Sequence, residues 1–444
     1  MASFHLHMWL SLLLLLLLPF IFLLKKKLNS KHLPPGPPRL PIIGNLHQLG
    51  TLPHYSLWQL SKKYGPVMLL QFGQVPTLII SSAEAAKELI KINDLNSCSR
   101  PRLAGTGRLS YNYLDIAFTP YGDYWREIKK ICVLELFSAK RVQSFQSVRE
   151  EEVGLFIDSI LKSSSSSSPV DLSEKIMSLT ANVTCRVAFG NSFATRGFTQ
   201  ERFQEVIHEA LAKLGGFSAS DFFPYVGWIV DRVTGLHSKL ERSFQELDEF
   251  YQKIIEDHIQ KGKEKHGHQD IVDVLLDLER YQTESEGIQF SKSHIKAIIM
   301  MVVKETLRLH PPGTLLITRE TMSQFSINGY EIYPKTRVHV NAWAIGRDPK
   351  TWKNPEEFFP ERFIDNSIDF RGQNYEFLPF GGGRRVCPGM TMALCLLEIA
   401  LANLLFCFDW KLPGNMKEAD INMEEASGSG LAIRAENFLR SLVT

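Results

Sequence analysis

Residues 377–408 read FLPFGGGRRVCPGMTMALCLLEIALANLLFCF, and no other stretch restricts so tightly what this chain can become. Gly381, Gly382 and Gly383 let the backbone approach something flat and bulky. Arg384 and Arg385 add positive charge beside them. Cys387 then stands at the mouth of an apolar helix running from about Met390 to Phe408, with Pro388 suited to a first helical turn. A cysteine so placed meets the positive end of the helix dipole and can receive backbone N–H bonds, both of which favour the thiolate. The competing reading is a buried structural cysteine. It suits Cys395 and Cys407 on the apolar helix, whereas the glycine loop marks Cys387 as functional.

The other bulk properties narrow the class. Six cysteines in 444 residues, none in a CxxC pair, argue against a disulfide framework or a structural zinc site and fit a reducing compartment. Fifty basic residues face 48 acidic ones with no long single-sign block, which argues against nucleic acid as a partner. Two short glycine patterns, GTGRLS at 105–110 and SGSGLA at 427–432, lack the context of a dinucleotide-binding turn.

Met8 to Leu24 is almost continuously apolar and is followed at once by Lys25, Lys26 and Lys27. A cleaved signal peptide would carry its charge ahead of the apolar run and small residues at a cleavage site. The order here is that of a retained single-pass anchor with the body on the cytosolic side. Four of the five residues from Pro34 to Pro38 are proline, so a stiff, extended spacer follows. The domain reading is an anchor over 1–27, a Pro-rich hinge over 28–45, and one body over 46–444.

Within that body, GPVMLLQFGQVPTLIISS reads as two strands joined near Gly73–Pro76, and SSAEAAKELI as a helix capped by Ser81 or Ser82. The pattern from about 121 to 280 is largely helical, interrupted by loops at Ser163–Ser168 and 261–270. FSINGYEI and TRVHVNAWAI, between 325 and 345, have strand character. The fold class is mainly α, with a small β portion assembled from both ends of the chain.

The motif FGGGRRVCPG resembles the heme-binding loop of cytochrome P-450 monooxygenases, with Phe380, Gly383, Arg385, Cys387 and Gly389 at that family's spacing. Other elements resembling the family follow in order: KETLR with Glu305 and Arg308, FFPERF with Arg362, and YWREIKK with Trp125 and Lys129. The anchor and PPGPPRLPIIGN resemble plant microsomal members.

The resemblance implies the cytochrome P-450 fold and Cys387 as axial ligand of the iron in heme b (iron protoporphyrin IX), where a thiolate pushes electron density onto the metal. It implies that Arg385, Trp125, Lys129 and Arg319 hold the propionates. The family usually has arginine at the place of Lys129, and lysine lacks the bidentate fork. Glu305 and Arg308, three apart on one helix face, would pair and form a buried network with Arg362. The implied partners are an NADPH-fed reductase, a small lipophilic substrate and the endoplasmic reticulum membrane.

Against that pattern stands IKAIIMMVVKETLRLHPP at 295–312. Ile298 to Val303 is apolar at six consecutive positions, while Lys304 to His310 is charged and amphipathic. In the family a long helix crosses the molecule over the distal heme face and carries an acidic residue and a threonine that deliver protons. His294 to His310 is one run of 17 residues, roughly 25 Å as helix, against a globule on the order of 55 Å across. One such run cannot serve both as crossing helix and as the Glu-x-x-Arg helix, so the family pattern implies a deletion at Met300–Met301 and a truncated distal helix. Thr306 lies inside KETLR and is no substitute, and no catalytic residue is identified.

The expected function is a membrane-anchored heme-thiolate monooxygenase. The rival readings are a catalytically silent, poorly heme-loaded product of the deletion, and a heme-thiolate isomerase or dehydratase. Stretches 100–120, 203–230 and 311–317 are expected to line the substrate pocket.

Overall fold

The computed structural model describes residues 32–164, 170–189, 206, 209, 218–261, 303–363, 366–408, 410–411, 417 and 440–443. The apolar run 8–24 with its three lysines, the junction Met300–Met301 and the loop 262–270 lie outside the described residues.

The sheet that organises the N-terminal half begins with β1 (Val67–Phe72) and β2 (Val75–Ile80), an antiparallel hairpin pairing Val67 with Ile80 and Phe72 with Val75. Gly73 has φ +58, the left-handed conformation that the turn between them requires. A two-residue strand β3 (Val170–Asp171) lies elsewhere, against the C-terminal end of the chain. β4 (Arg319–Glu320) joins the first sheet from far along the sequence, and β5 (Phe325–Ile327) and β6 (Tyr330–Ile332) form a separate hairpin. Its turn is Asn328–Gly329, with φ +49 and +76, as a tight right-twisted hairpin demands. β7 (Arg337–Val340) pairs parallel with β2 and antiparallel with β4, giving the order β1-β2-β7-β4. The sheet portion thus draws on both ends of the chain, as the pattern suggested. β8 (Trp410–Lys411) and β9 (Arg440–Val443) complete the small sheet with β3.

One expectation is corrected in this region. Strand character does not run to 345: the strand ends at Val340 because Asn341 accepts a hydrogen bond from the Ala344 N–H and caps a short helix, Ala342–Ile345.

The helical part includes Pro53–Tyr64, Asp123–Ile131, Gln146–Ser164, Leu172–Phe189, Leu236–Lys261, a segment over 303–309 and Met390–Cys407. Ser82 caps Ala83–Lys87 by accepting from the Ala85 N–H, and that helix widens into a π turn over Glu88–Ile92. The sheet packs its inner face, with Val67, Leu78, Ile80, Val338 and Val340, against Leu89, Ile90, Tyr375 and Leu378. That contact seats the stretch leading to the cysteine loop directly on the sheet.

The Pro-rich stretch is more than a spacer from Pro35 onward. Along the outer edge of β1, the Leu69 N–H donates to the Pro35 carbonyl (2.9 Å), the Gln71 N–H to Asn45 Oδ1 (2.8 Å) and the Gly73 N–H to the Ile43 carbonyl (3.1 Å). Asn45 also donates to the Pro37 and Pro38 carbonyls. A Cβ on Gly36 would lie 2.3 Å from the Leu69 carbonyl oxygen, so this approach requires glycine.

Candidate functional site

The glycine loop folds back on itself before it reaches the cysteine. Gly381 and Gly383 take φ +70 and +62, and the Cys387 N–H donates to the Phe380 carbonyl at 3.0 Å. The Phe380 ring meets Phe370 edge-on at 6.0 Å, which fixes the loop's entry. Gly389 occupies the N-cap position and the helix begins at Met390, so Pro388 precedes the first turn rather than lying in it. The Gly389 and Met390 N–H groups hydrogen-bond the Cys387 thiol and lower its pKa, but burial outweighs them and the net shift is upward. The two N–H bonds expected at this position are thus present, and the sulfur they meet is half-buried.

Around the loop lies a cluster of cations. Arg385 donates to the carbonyls of Cys98 (2.8 Å), Ile116 (3.3 Å) and Thr119 (2.7 Å), with its guanidinium 4.1 Å from the Trp125 ring centroid. Trp125 is buried on Asp123–Ile131 and donates its indole N–H to the Ile116 carbonyl. Lys129, one turn later, donates to the Arg384 carbonyl. Arg319 pairs with Asp94 at 2.7 Å and donates to the Gly382 carbonyl at 3.0 Å. Arg100 is buried and donates to the carbonyls of Ala117, Ile317 and Thr318.

Burial, and then repulsion from neighbouring cations, push Arg100, Lys129 and Arg385 below their ordinary values. Arg100 is lowered by burial, Arg385 and Arg319; Lys129 by burial and then by Arg385. Arg385 falls to about 10 through burial, with the pull of Cys98 opposed by the charge of Arg319. A dianionic ligand would relieve that repulsion. Cationic donors, an indole edge and a thiol at the start of a helix form the donor set that a porphyrin with two carboxylates and a central iron needs, so the residues present fit heme.

A second charged cluster lies on the segment that packs, through Val303 and Leu307, against Leu394 of the cysteine helix. In the segment over 303–309, Glu305 and Arg308 are fully buried and joined by two 2.8 Å hydrogen bonds. Arg362 donates to Glu305 Oε1 at 3.0 Å, and the Phe359 N–H donates to the same oxygen at 2.8 Å. Arg308 also donates to the carbonyls of Gly346, Pro355 and Glu357. Burial pushes the Glu305 carboxyl up, but these donors and both guanidinium charges prevail and hold it below the usual carboxylate value. Val303, Glu305, Leu307, Arg308 and Leu309 are all buried, and partners from 346–362 cover the charges.

Of the expected pocket-lining stretches, 203–217 lies outside the described residues except at 206 and 209. The described part of 203–230 meets 100–120, where Asp221 accepts from the Ala104 N–H at 2.8 Å, and 100–120 meets 311–317, where Arg100 donates to the Ile317 carbonyl at 2.6 Å. The apolar face of Met390–Cys407 is incompletely covered, with Leu405 60% and Phe406 90% exposed. Asp94 and Arg100 join the site without having been singled out from the sequence. Their only cue is NDLNSCSR ahead of a proline, a weak turn pattern.

Comparison with known proteins bears on this geometry. The family model described as Cytochrome P450 matches residues 34–302 and 298–438, two stretches that meet at 298–302. Similar proteins include cytochrome P450 71B34 of Arabidopsis thaliana, 49% identical with 94% of each chain covered. Cytochrome P450 71B37 of the same plant is 48% identical, covering 95% of this chain and 97% of its own. The alignment with 71B34 spans 476 positions, more than the 444 residues of the chain, so it must open a gap in this chain.

Proposed function

The chain belongs to the cytochrome P450 family, and from that membership we propose a membrane-anchored heme-thiolate monooxygenase that transfers one oxygen atom from O2 to a small lipophilic molecule, with electrons passed from NADPH through a reductase. The enzyme class, monooxygenase, and the use of heme with reductase-supplied electrons follow from the family. The anchor, the NADPH source and the chemistry of the substrate are the proposal. The catalytically silent reading is not favoured, because relatedness runs through both halves of the chain.

The observation that carries the proposal is the convergence of Cys387, Arg385, Trp125 and Lys129 on one loop. Cys387 would ligate iron and Arg385 and Lys129 would meet the propionates, with Arg319 behind them on β4. Bound there, heme supplies the oxygen chemistry. The chain's own residues orient it: the Phe380 carbonyl fixes the Cys387 backbone, and the Gly389 and Met390 N–H groups temper the sulfur's charge. Behind the loop, Glu305, Arg308 and Arg362 brace the stretch before it. The 8–24 segment would hold the body at the cytosolic face of the endoplasmic reticulum. Among the described residues the helix apolar and long enough to span a bilayer is Met390–Cys407, which is not N-terminal.

The test is the reduced carbon monoxide spectrum. Cys387→Ser should abolish its red-shifted thiolate signature, and retention would assign the iron to another residue. Alkaline carbonate should leave the protein in the membrane pellet, and release would remove the anchor from the proposal. Inserting a family-type distal segment between Met300 and Met301 should raise heme content and substrate-dependent NADPH use. Equal values in both forms would mean that 295–312 is complete as it stands.

A further inference from the structure

We propose that Asp94 is the positioning residue of the cysteine loop, a buried carboxylate that clamps β4 and the Gly382–Arg384 turn together and so presents Cys387. The inference rests on the heme-thiolate reading given above. Asp94 opens the short helix Asp94–Ser97, and its side chain is 4% exposed. One oxygen, Oδ1, accepts from Arg319 Nη1 at 2.7 Å. The other, Oδ2, accepts from the Arg384 backbone N–H at 2.8 Å and from Arg384 Nη1 at 3.1 Å. Arg319 returns to the loop by donating to the Gly382 carbonyl at 3.0 Å. The result is a closed circuit running from Asp94 through Arg319, Gly382 and Gly383 to Arg384 and back.

Two further facts show that the loop is built around this carboxylate. Gly383 sits at φ +62, and a Cβ there would lie 2.8 Å from Asp94 Oδ1, so the glycine gives both the left-handed turn and the room for the acid. The turn is then locked on its far side by the Val386 N–H donating to the Gly383 carbonyl and the Cys387 N–H donating to the Phe380 carbonyl. The clamp therefore lies two hydrogen bonds from the sulfur's own backbone.

Charge assigns the same role. The groups facing Asp94 are Arg319 from β4 and Arg384 from the loop, with Arg385, Cys98 and Tyr375 close enough to exchange charge effects with it or with its partners. Without the carboxylate, Arg319 and Arg384 would be like charges held side by side. An amide at this place would also turn a donor toward one of three donors, leaving a buried group unpaired.

The experiment uses the full chain, hemin-free and hemin-loaded, as wild type, Asp94→Asn and Arg384→Gln. In Asp94→Asn, amide exchange over 380–387 should rise about tenfold, the scale of a lost charged hydrogen bond, with exchange in Gln146–Ser164 unchanged. Hemin transfer to apomyoglobin should quicken by a similar factor. The iron midpoint potential should move up in Asp94→Asn and down in Arg384→Gln, since one removes a negative and the other a positive charge. Unchanged exchange over 380–387, or potentials shifting in the same direction in both variants, would overturn the proposal. If Asp94→Asn does not accumulate folded, Arg384→Gln decides alone: its half-exposed side chain can be changed without disturbing the core, and unchanged loop exchange there counts equally against the clamp. A wild-type hemin complex without a Cys387-dependent spectrum would defeat the heme reading instead, while the hemin-free exchange data would still judge Asp94.

Discussion

Two clusters of buried charge flank the cysteine loop, and they are balanced differently. Around Glu305, one carboxylate receives two guanidinium groups and a backbone N–H, and the remaining guanidinium donors end on carbonyls from 346–357. The carboxyl is held below its ordinary value in spite of burial. Around Trp125, the cations Arg100, Arg319, Arg385 and Lys129 crowd together, and burial and repulsion lower Arg100, Arg385 and Lys129. The first cluster is satisfied by the protein alone and braces it. The second carries surplus positive charge, which supports the proposal that an anionic ligand sits there.

Breaking the balanced cluster should have the largest effect. Arg308→Ala leaves Glu305 buried beside only Arg362 and should lose about 3–5 kcal/mol of stability, measured by denaturant melts. Glu305→Gln should lose about 1.5–3 kcal/mol at pH 7, the range for a hydrogen bond to a charged group. Because the folded Glu305 pKa is depressed, its contribution is present above the ordinary value of 4.5 and disappears as pH falls through the folded value. The melting difference between wild type and variant should therefore narrow in acid. A constant difference would mean the carboxylate charge contributes nothing.

Asp221 sharpens the contrast, being a carboxyl with a backbone donor but no guanidinium fork. Burial raises it to about 6, against backbone help from Ala104 and the charge of Arg337. Its penalty is absent below the ordinary 3.8 and complete above about 6, so stability falls as pH rises through that window. Asp221→Asn should stabilise the chain by about 1–2 kcal/mol at pH 7.5, after allowance for partial exposure, with the gain vanishing near pH 3.5. The smallest change concerns the cation-rich cluster. Lys129→Arg supplies a fork and should slow hemin loss by about threefold in an apomyoglobin transfer assay, because a bidentate contact holds a carboxylate better than a point charge.

The parts of this molecule that could be read from the sequence are those whose causes are local. The β1–β2 and β5–β6 hairpins follow from alternation and from Gly73 or Asn328–Gly329, and the Ser82 cap from its place before AEAAK. The cysteine loop could be read because glycines, arginines and cysteine sit within ten residues. Asp94 could not, since its partners lie 225 and 290 residues away and nothing in NDLNS signals them. The backbone partners of Glu305 and Arg308 could not be read for the same reason: periodicity describes one helix's faces, whereas the carbonyls of Gly346, Pro355 and Glu357 and the Phe359 N–H come from a later stretch. The strand after Lys335 was read too long because a cap at Asn341 competes with β propensity only once Ala344 is in place.

The proline-rich strap along β1 has a practical consequence for anyone handling this protein in solution. An uncovered strand edge is a template on which other chains can add, and prolines block that addition because they have no N–H to offer. Here the outward N–H groups of Leu69, Gln71 and Gly73 are all taken by residues 35–45. A solubilised version that drops the apolar run but begins at Pro34 keeps this seal, whereas one that begins after Asn45 bares the edge and should clump in light scattering within hours.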